Sequence, residues 1–209
     1  MKAYFLAVLA ALSLFTAEAQ ANNDRTMGMS LSPIALLGAR FNALYQYKLL
    51  DFLALTIPGK FSYNFGYAKV AEFLSEKSLG EQTLSPFEAA FGVGARILLN
   101  NKGLNDSFYV EPRVWLGYEQ FGVKASGQQL EFKAMKFQPM FNFGWDWYWD
   151  YGLYMGLGFG IGYAIHFNQT VNIPDEMKAL KENALVGFFF PITPGTLALD
   201  SEFKVGYSW

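Results

Sequence analysis

The chain has 209 residues, a formal net charge of −2 and no cysteine, so disulfides cannot brace it and no basic stripe points to nucleic acid. Charged residues make up 16% and aromatics 18%, where soluble proteins carry roughly 25% charged residues. Past residue 21 no apolar run reaches the ~20 residues of a membrane-spanning helix, so the apolar side chains must be used in another way.

Met1-Lys2 opens an apolar run that continues to Phe15, followed by Ala17-Glu-Ala19 and Ala19-Gln-Ala21. A basic start, a short apolar core and small residues spaced A-x-A read as a secretory signal peptide over 1–21, cleaved after Ala19 or Ala21. Residues 22–209 then form one domain. Within it, apolar and polar residues alternate by twos, the period of a strand. The segment 29–37 is the weakest, with Ser30 and Ser32 on its polar side. Next come 39–49, with Arg40, Asn42, Gln46 and Lys48, and 53–65, with Lys60, Ser62 and Asn64. Between 66 and 86 lies a longer connection in which 68–77 could form a short helix.

Over 87–98, Phe87, Phe91, Val93 and Ile97 oppose Glu88, Gly92, Gly94 and Arg96. A turn at Asn100–Gly103 leads to 108–119, where Tyr109, Glu111, Arg113, Trp115 and Glu119 share a face. After a connection at 124–130, Phe141, Phe143, Trp145 and Trp147 alternate with Lys136, Asn142, Gly144 and Asp146. Asp150-Tyr151 turns the chain into 152–167, where Gly156, Gly158, Gly160 and Gly162 occupy every second place. That pattern would be ruinous in a helix. A connection over 168–184, with a possible helix at 174–182, precedes the last strand, about 196–209. There Asp200, Glu202 and Lys204 oppose Leu199, Phe203, Tyr207 and Trp209.

The fold is therefore all-β, and the question is which face is inside. The apolar face holds far more Phe, Tyr and Trp than a small barrel could enclose. The glycine row belongs where space is short, and charges of both signs on adjacent strands suit pairing in a lumen. Apolar out and polar in describe a transmembrane antiparallel up-and-down β-barrel, with eight strands if 29–37 is the first. A rival count takes 185–193 as a strand and drops 29–37, which would put every long loop in the periplasm. With the short turns periplasmic instead, Tyr45, Tyr47, Trp145, Trp147, Trp149 and Tyr151 gather near one end as an aromatic girdle.

The expected lumen charges are Arg40, Lys48, Lys60, Glu88, Arg96, Glu111, Arg113, Glu119, Lys136, Asp146, Asp200, Glu202 and Lys204. The turn near 103 sets Arg96 across from Glu111. An eight-stranded barrel is just wide enough to be filled by such side chains or to hold a small ligand. The charges could plug it, or a narrow path could run beside the glycine row. Those glycines could instead accommodate Arg113, Trp115 and Met140. The sole histidine, His166, stands without a nearby serine, so no catalytic residues, metal or cofactor are expected.

In these respects the chain resembles the small eight-stranded bacterial outer-membrane proteins, the OmpA transmembrane-domain and OmpW-like class. It is similar to a group whose first segments read like Ser32-Pro33-Ile-Ala-Leu-Leu-Gly38 followed by Leu44-Tyr45-Gln-Tyr47. The resemblance implies a location in the outer membrane, among its lipid and lipopolysaccharide. It also implies that Phe203, Tyr207 and Trp209 are read by the barrel-assembly machinery, with Trp in place of the more usual final Phe. It suggests a structural or surface-interaction role. A narrow OmpW-like channel and, more remotely, a lipid-modifying enzyme are the alternatives, although the His-x-Ser arrangement of the deacylases is missing.

Overall fold

The computed structural model describes residues 25–37, 40–63, 82–84, 87–125, 128–172 and 195–209. The signal peptide at 1–21, the loop helices at 68–77 and 174–182, and the rival strand at 185–193 lie outside the described residues. The elements in chain order are β1 (Met27–Leu31), α1 (Pro33–Leu37), β2 (Arg40–Leu50), β3 (Leu53–Tyr63), β4 (Gln82–Leu84), β5 (Phe87–Leu98), β6 (Ser107–Ala125), β7 (Gln128–Tyr148), β8 (Leu153–Asn172) and β9 (Gly195–Ser208).

Eight of these strands close on themselves in the order β1-β2-β3-β5-β6-β7-β8-β9, and β1 returns to pair with β9. Every pairing is antiparallel. The ninth strand, β4, adds no separate stave, because it continues the register of β5 along β6. It pairs Leu84 with Val123 and Gln82 with Ala125 along the upper reach of β6. Closure leaves no unpaired edge between the staves, so backbone polar groups along the wall are satisfied within it.

The side-chain period of two then divides the wall. Even-numbered residues point inward on every stave except β6, where the odd-numbered ones do, and Gln46, Thr56, Arg96 and Glu111 are fully buried. The alternate residues point outward, and Phe91, Leu197 and Leu199 are each more than 60% exposed. Such an outer wall is unfavourable in water and at home in hydrocarbon.

Three boundaries differ from the sequence expectation. The first strand starts earlier, at Met27, and stops at Leu31; residues 33–37 are helix rather than strand. The cause is local: Ser32 caps the helix by accepting from the Ala35 amide at 3.4 Å, and Pro33 stands at the first helical position. Second, the connection expected at 124–130 is largely strand, because β6 and β7 stay paired to Ala125 and Gln128. Third, β8 runs on to Asn172. A register shift opposite Lys133 and Met135 coincides with Asn168 at φ 52°, a conformation Asn tolerates, and the bulge lets pairing resume beyond it.

At the end that carries the short turns, the 99–106 segment folds back under the barrel. Leu104 is buried with Ala54, Leu98 and Tyr109. Gly103 adopts φ 67° and donates its amide to the Asp51 carbonyl at 2.8 Å, which ties this turn to the one between β2 and β3. Arg25 donates to the Trp149 carbonyl at 2.6 Å and lies 5.5 Å from the ring centre of Tyr148. An apolar and aromatic plug thus closes this mouth.

Candidate functional site: the charged lumen

Above the plug, six inward side chains form a closed ring of alternating charge. Arg96 pairs with Glu111 at 2.7 Å and with Asp146 at 2.8 Å. Glu111 pairs onward with Arg113 at 2.6 Å, and Asp146 with Lys204 at 2.9 Å. Glu202 closes the circuit, 3.8 Å from Arg113 and 3.9 Å from Lys204. The ring draws on β5, β6, β7 and β9, so it ties walls that are not neighbours in the sheet. Three cations and three carboxylates cancel.

Tyr109 lies at the hub. The Arg96 guanidinium is 3.9 Å from its ring centre and the Lys204 ammonium 4.6 Å. Uncharged groups add hydrogen bonds: Thr56 donates to Glu111 at 2.7 Å, and Arg96 donates to the Gln46 side-chain oxygen at 3.2 Å. Buried ions need such partners to offset their lost hydration.

Towards the loop end a second, open chain of charge follows. Glu88 holds Lys60 at 2.9 Å and Lys136 at 2.5 Å; Lys136 also reaches Glu119 at 3.1 Å, and Glu119 contacts His166 Nε2 at 2.8 Å. The other ring nitrogen of His166 is buried and has no hydrogen-bond partner among the described residues. Among the described residues, no group of three or more His, Asp or Glu stands together as a metal site.

Three of the thirteen expected lumen charges join neither group. Lys48 pairs with Asp51 at 3.4 Å, at the turn end. Arg40 is exposed at the opposite rim, and Asp200 is half-buried in the wall; neither has an ion pair among the described residues. The groups that pattern reading did not single out for the site are Tyr109, Thr56 and Gln46. Their position on the inward face was visible, but nothing in the alternation says that a tyrosine will sit between two cations. Leu104 left no signal at all, because it belongs to a turn.

The glycine row is explained by what lies against it. A Cβ at Gly156 would meet Asp146 and Lys204, one at Gly158 would come 2.5 Å from the Tyr109 hydroxyl, and those at Gly160 and Gly162 would meet Asn142 and Met140. Met140 was among the residues expected to need this room, but Arg113 and Trp115 lie elsewhere. A cavity of about 70 Å³ lies away from the glycine row, lined by residues of β1, β2, β3, β5, β6 and β9, and no described residue of β7 or β8 lines it.

On the outer wall, Tyr45, Tyr47, Trp145, Trp147, Trp149 and Tyr151 all stand towards the turn end. Trp145 and Trp147 have ring centres 6.5 Å apart. Tyr207 stacks on Trp209 at 6.3 Å, beside Phe203 on the same outward face.

A closed antiparallel barrel of eight strands, apolar outside and ionic within, defines a class: this is a transmembrane β-barrel. Comparison with known proteins adds little to that. No protein-family model and no curated protein matches the chain. Among solved structures, the crystal structure of Acinetobacter baumannii CarO2 aligns at 8% identity with a TM-score of 0.44, covering 88% of this chain and 98% of that one. A likeness this distant bears on neither fold nor function.

Proposed function

We propose that the chain is an integral outer-membrane protein whose lumen is plugged by charge, with a structural or surface-interaction role. The observation that carries this reading is the closed six-charge ring around Tyr109. A pore would have to break ion pairs in a place with little water to compensate them. The orientation rests on the long connections after β3 and β8, placed outside together with the extended β6–β7 hairpin, and on the short turns after β2 and β7, placed in the periplasm. The aromatic residues at the turn end then form a girdle at the inner interface, among lipid, with lipopolysaccharide in the opposite leaflet. Export by the 1–21 leader and recognition of Phe203, Tyr207 and Trp209 by the assembly machinery belong to the same reading.

Planar-bilayer recording tests it. Refolded protein, its folding confirmed by heat-modifiable gel migration, is expected to give no discrete conductance steps. Steps whose size changes on substituting Arg96 or Glu111 would show the lumen to be open. One feature favours that second reading, a narrow channel for small or apolar solutes: the cavity is lined by Glu202, whose two ion pairs are the longest in the ring. A lipid-modifying activity has only His166 to rest on. Lipid A incubated with the folded protein is therefore expected to stay intact; acyl release that vanished in His166→Ala would reverse this assignment.

A further inference from the structure

β6, β7 and β8 are the longest strands, and each rises past the apolar belt at the loop end. On β6 the outward residues from Phe108 to Leu116 are apolar, and Tyr118 follows. That length matches the ~9–11 residues a tilted strand needs to cross the hydrocarbon. Tyr118 pairs with Met135 on β7, and Met135 with Phe167 on β8, so one row of large side chains closes the belt. The next row is Gln120, Lys133 and Thr170, and the one beyond it sets Glu131 beside Asn172. Residues opposite each other in an antiparallel pair share a face, so all of these point outward. A polar patch thus continues the lipid-facing wall directly above the hydrocarbon.

The chemistry of the patch says what it meets. The Tyr118 hydroxyl donates to Gln120 Oε1 at 3.3 Å, and Gln120 donates to Glu131 at 2.9 Å. Lys133 pairs with the same carboxylate oxygen at 2.9 Å. Glu131 therefore cancels Lys133, and these side chains carry no net charge to draw in an anionic phosphate. What they keep is hydrogen-bonding capacity of both kinds: the second Glu131 oxygen, and the remaining N–H groups of Gln120 and Lys133. Thr170 and Asn172 are exposed, and their side chains make no hydrogen bond among the described residues. Donors and acceptors without net charge match sugar hydroxyls, each of which both donates and accepts. We propose that this patch docks the sugar headgroup of the outer-leaflet glycolipid, lipopolysaccharide. The inference rests on the outer-membrane reading above, which sets that headgroup at the loop end, over the acyl chains that meet the rows below.

Refolded full chain in a neutral detergent is titrated with lipopolysaccharide and, in parallel, with phosphatidylglycerol, which is anionic but carries no sugar. Native mass spectrometry reads the bound fraction. Lipopolysaccharide is expected to bind more tightly and to stay bound as ionic strength rises, because salt screens charges. The double variant Thr170→Ala, Asn172→Ala should weaken it about tenfold, a few-fold for each neutral hydrogen-bonding side chain. Both positions are exposed, so heat-modifiable migration should show this variant folded. Glu131→Ala separates sugar from phosphate. It removes an acceptor and frees Lys133, so it should weaken binding led by sugar, whereas binding led by phosphate would strengthen. A conducting lumen would leave the patch standing, and a missing glycolipid contact would leave the plug standing. Equal affinity for the two lipids, loss of binding at raised ionic strength, unchanged affinity in the double variant, or a gain in Glu131→Ala would each overturn the assignment.

Discussion

Glu111→Ala is expected to destabilise the barrel by about 3–5 kcal/mol, the usual cost of removing one partner from a buried ion pair. Glu111 is fully buried and accepts from Arg96, Arg113 and Thr56. Without it, Arg96 keeps Asp146 at 2.8 Å, but Arg113 keeps only Glu202 at 3.8 Å. The loss therefore falls on a guanidinium sealed from water. The companion variant is Glu131→Ala, whose pair with Lys133 is open to solvent and should be worth at most about 1 kcal/mol. Urea melts of the two variants in lipid vesicles, read by tryptophan fluorescence, separate the cases. An Glu111→Ala curve lying on the wild-type one would mean that the ring contributes nothing to stability.

The second large effect concerns the slot that holds Tyr109. Gly144 and Gly158 face each other across β7 and β8, and Tyr109 pairs with Gly144 across β6 and β7. A Cβ at either glycine would come 2.5 Å from the Tyr109 hydroxyl. Gly158→Ala should therefore cost about 1–3 kcal/mol, as overpacking does. The test is a rescue. In a Tyr109→Phe background the hydroxyl is gone, and Gly158→Ala should cost clearly less. Gly144→Ala should not be rescued in this way, because its Cβ would also strike the Leu157 carbonyl, which is backbone. Gly59→Ala meets nothing within 4 Å and should stay within about 0.5 kcal/mol of wild type. Equal costs for Gly158→Ala in both backgrounds would show that Tyr109 does not occupy the slot.

Alternation exposed most of this architecture in advance, because a barrel strand has only two faces and each meets a different medium. Arg96 and Glu111 could be matched from the turn between their strands, since antiparallel register propagates from a turn. The errors fall where local chemistry competes with alternation. Ser32-Pro33 carried a capping signal, and the apolar residues behind it read equally well as strand. The β6–β7 hairpin kept its pairing past the point where its pattern weakens, because once two strands are in register each further residue gains hydrogen bonds at little added entropy.

By itself, then, the amino-acid sequence determined the class of fold, the strand period, the inward and outward faces and the residues available to fill the lumen. All of these are set by neighbours along one strand. Beyond the Arg96–Glu111 pair, the tertiary structure alone decided which charges meet. Glu202 on β9 reaches Arg113 on β6, and Asp146 on β7 reaches both Arg96 on β5 and Lys204 on β9. These contacts cross the lumen between strands that share no register, so they depend on barrel closure and side-chain reach. The same holds for Leu104 under the mouth and for Arg113 Nη2 and Trp115 Nε1, buried without a hydrogen-bond partner among the described residues. A buried polar group is recognisable only when everything around it is in place.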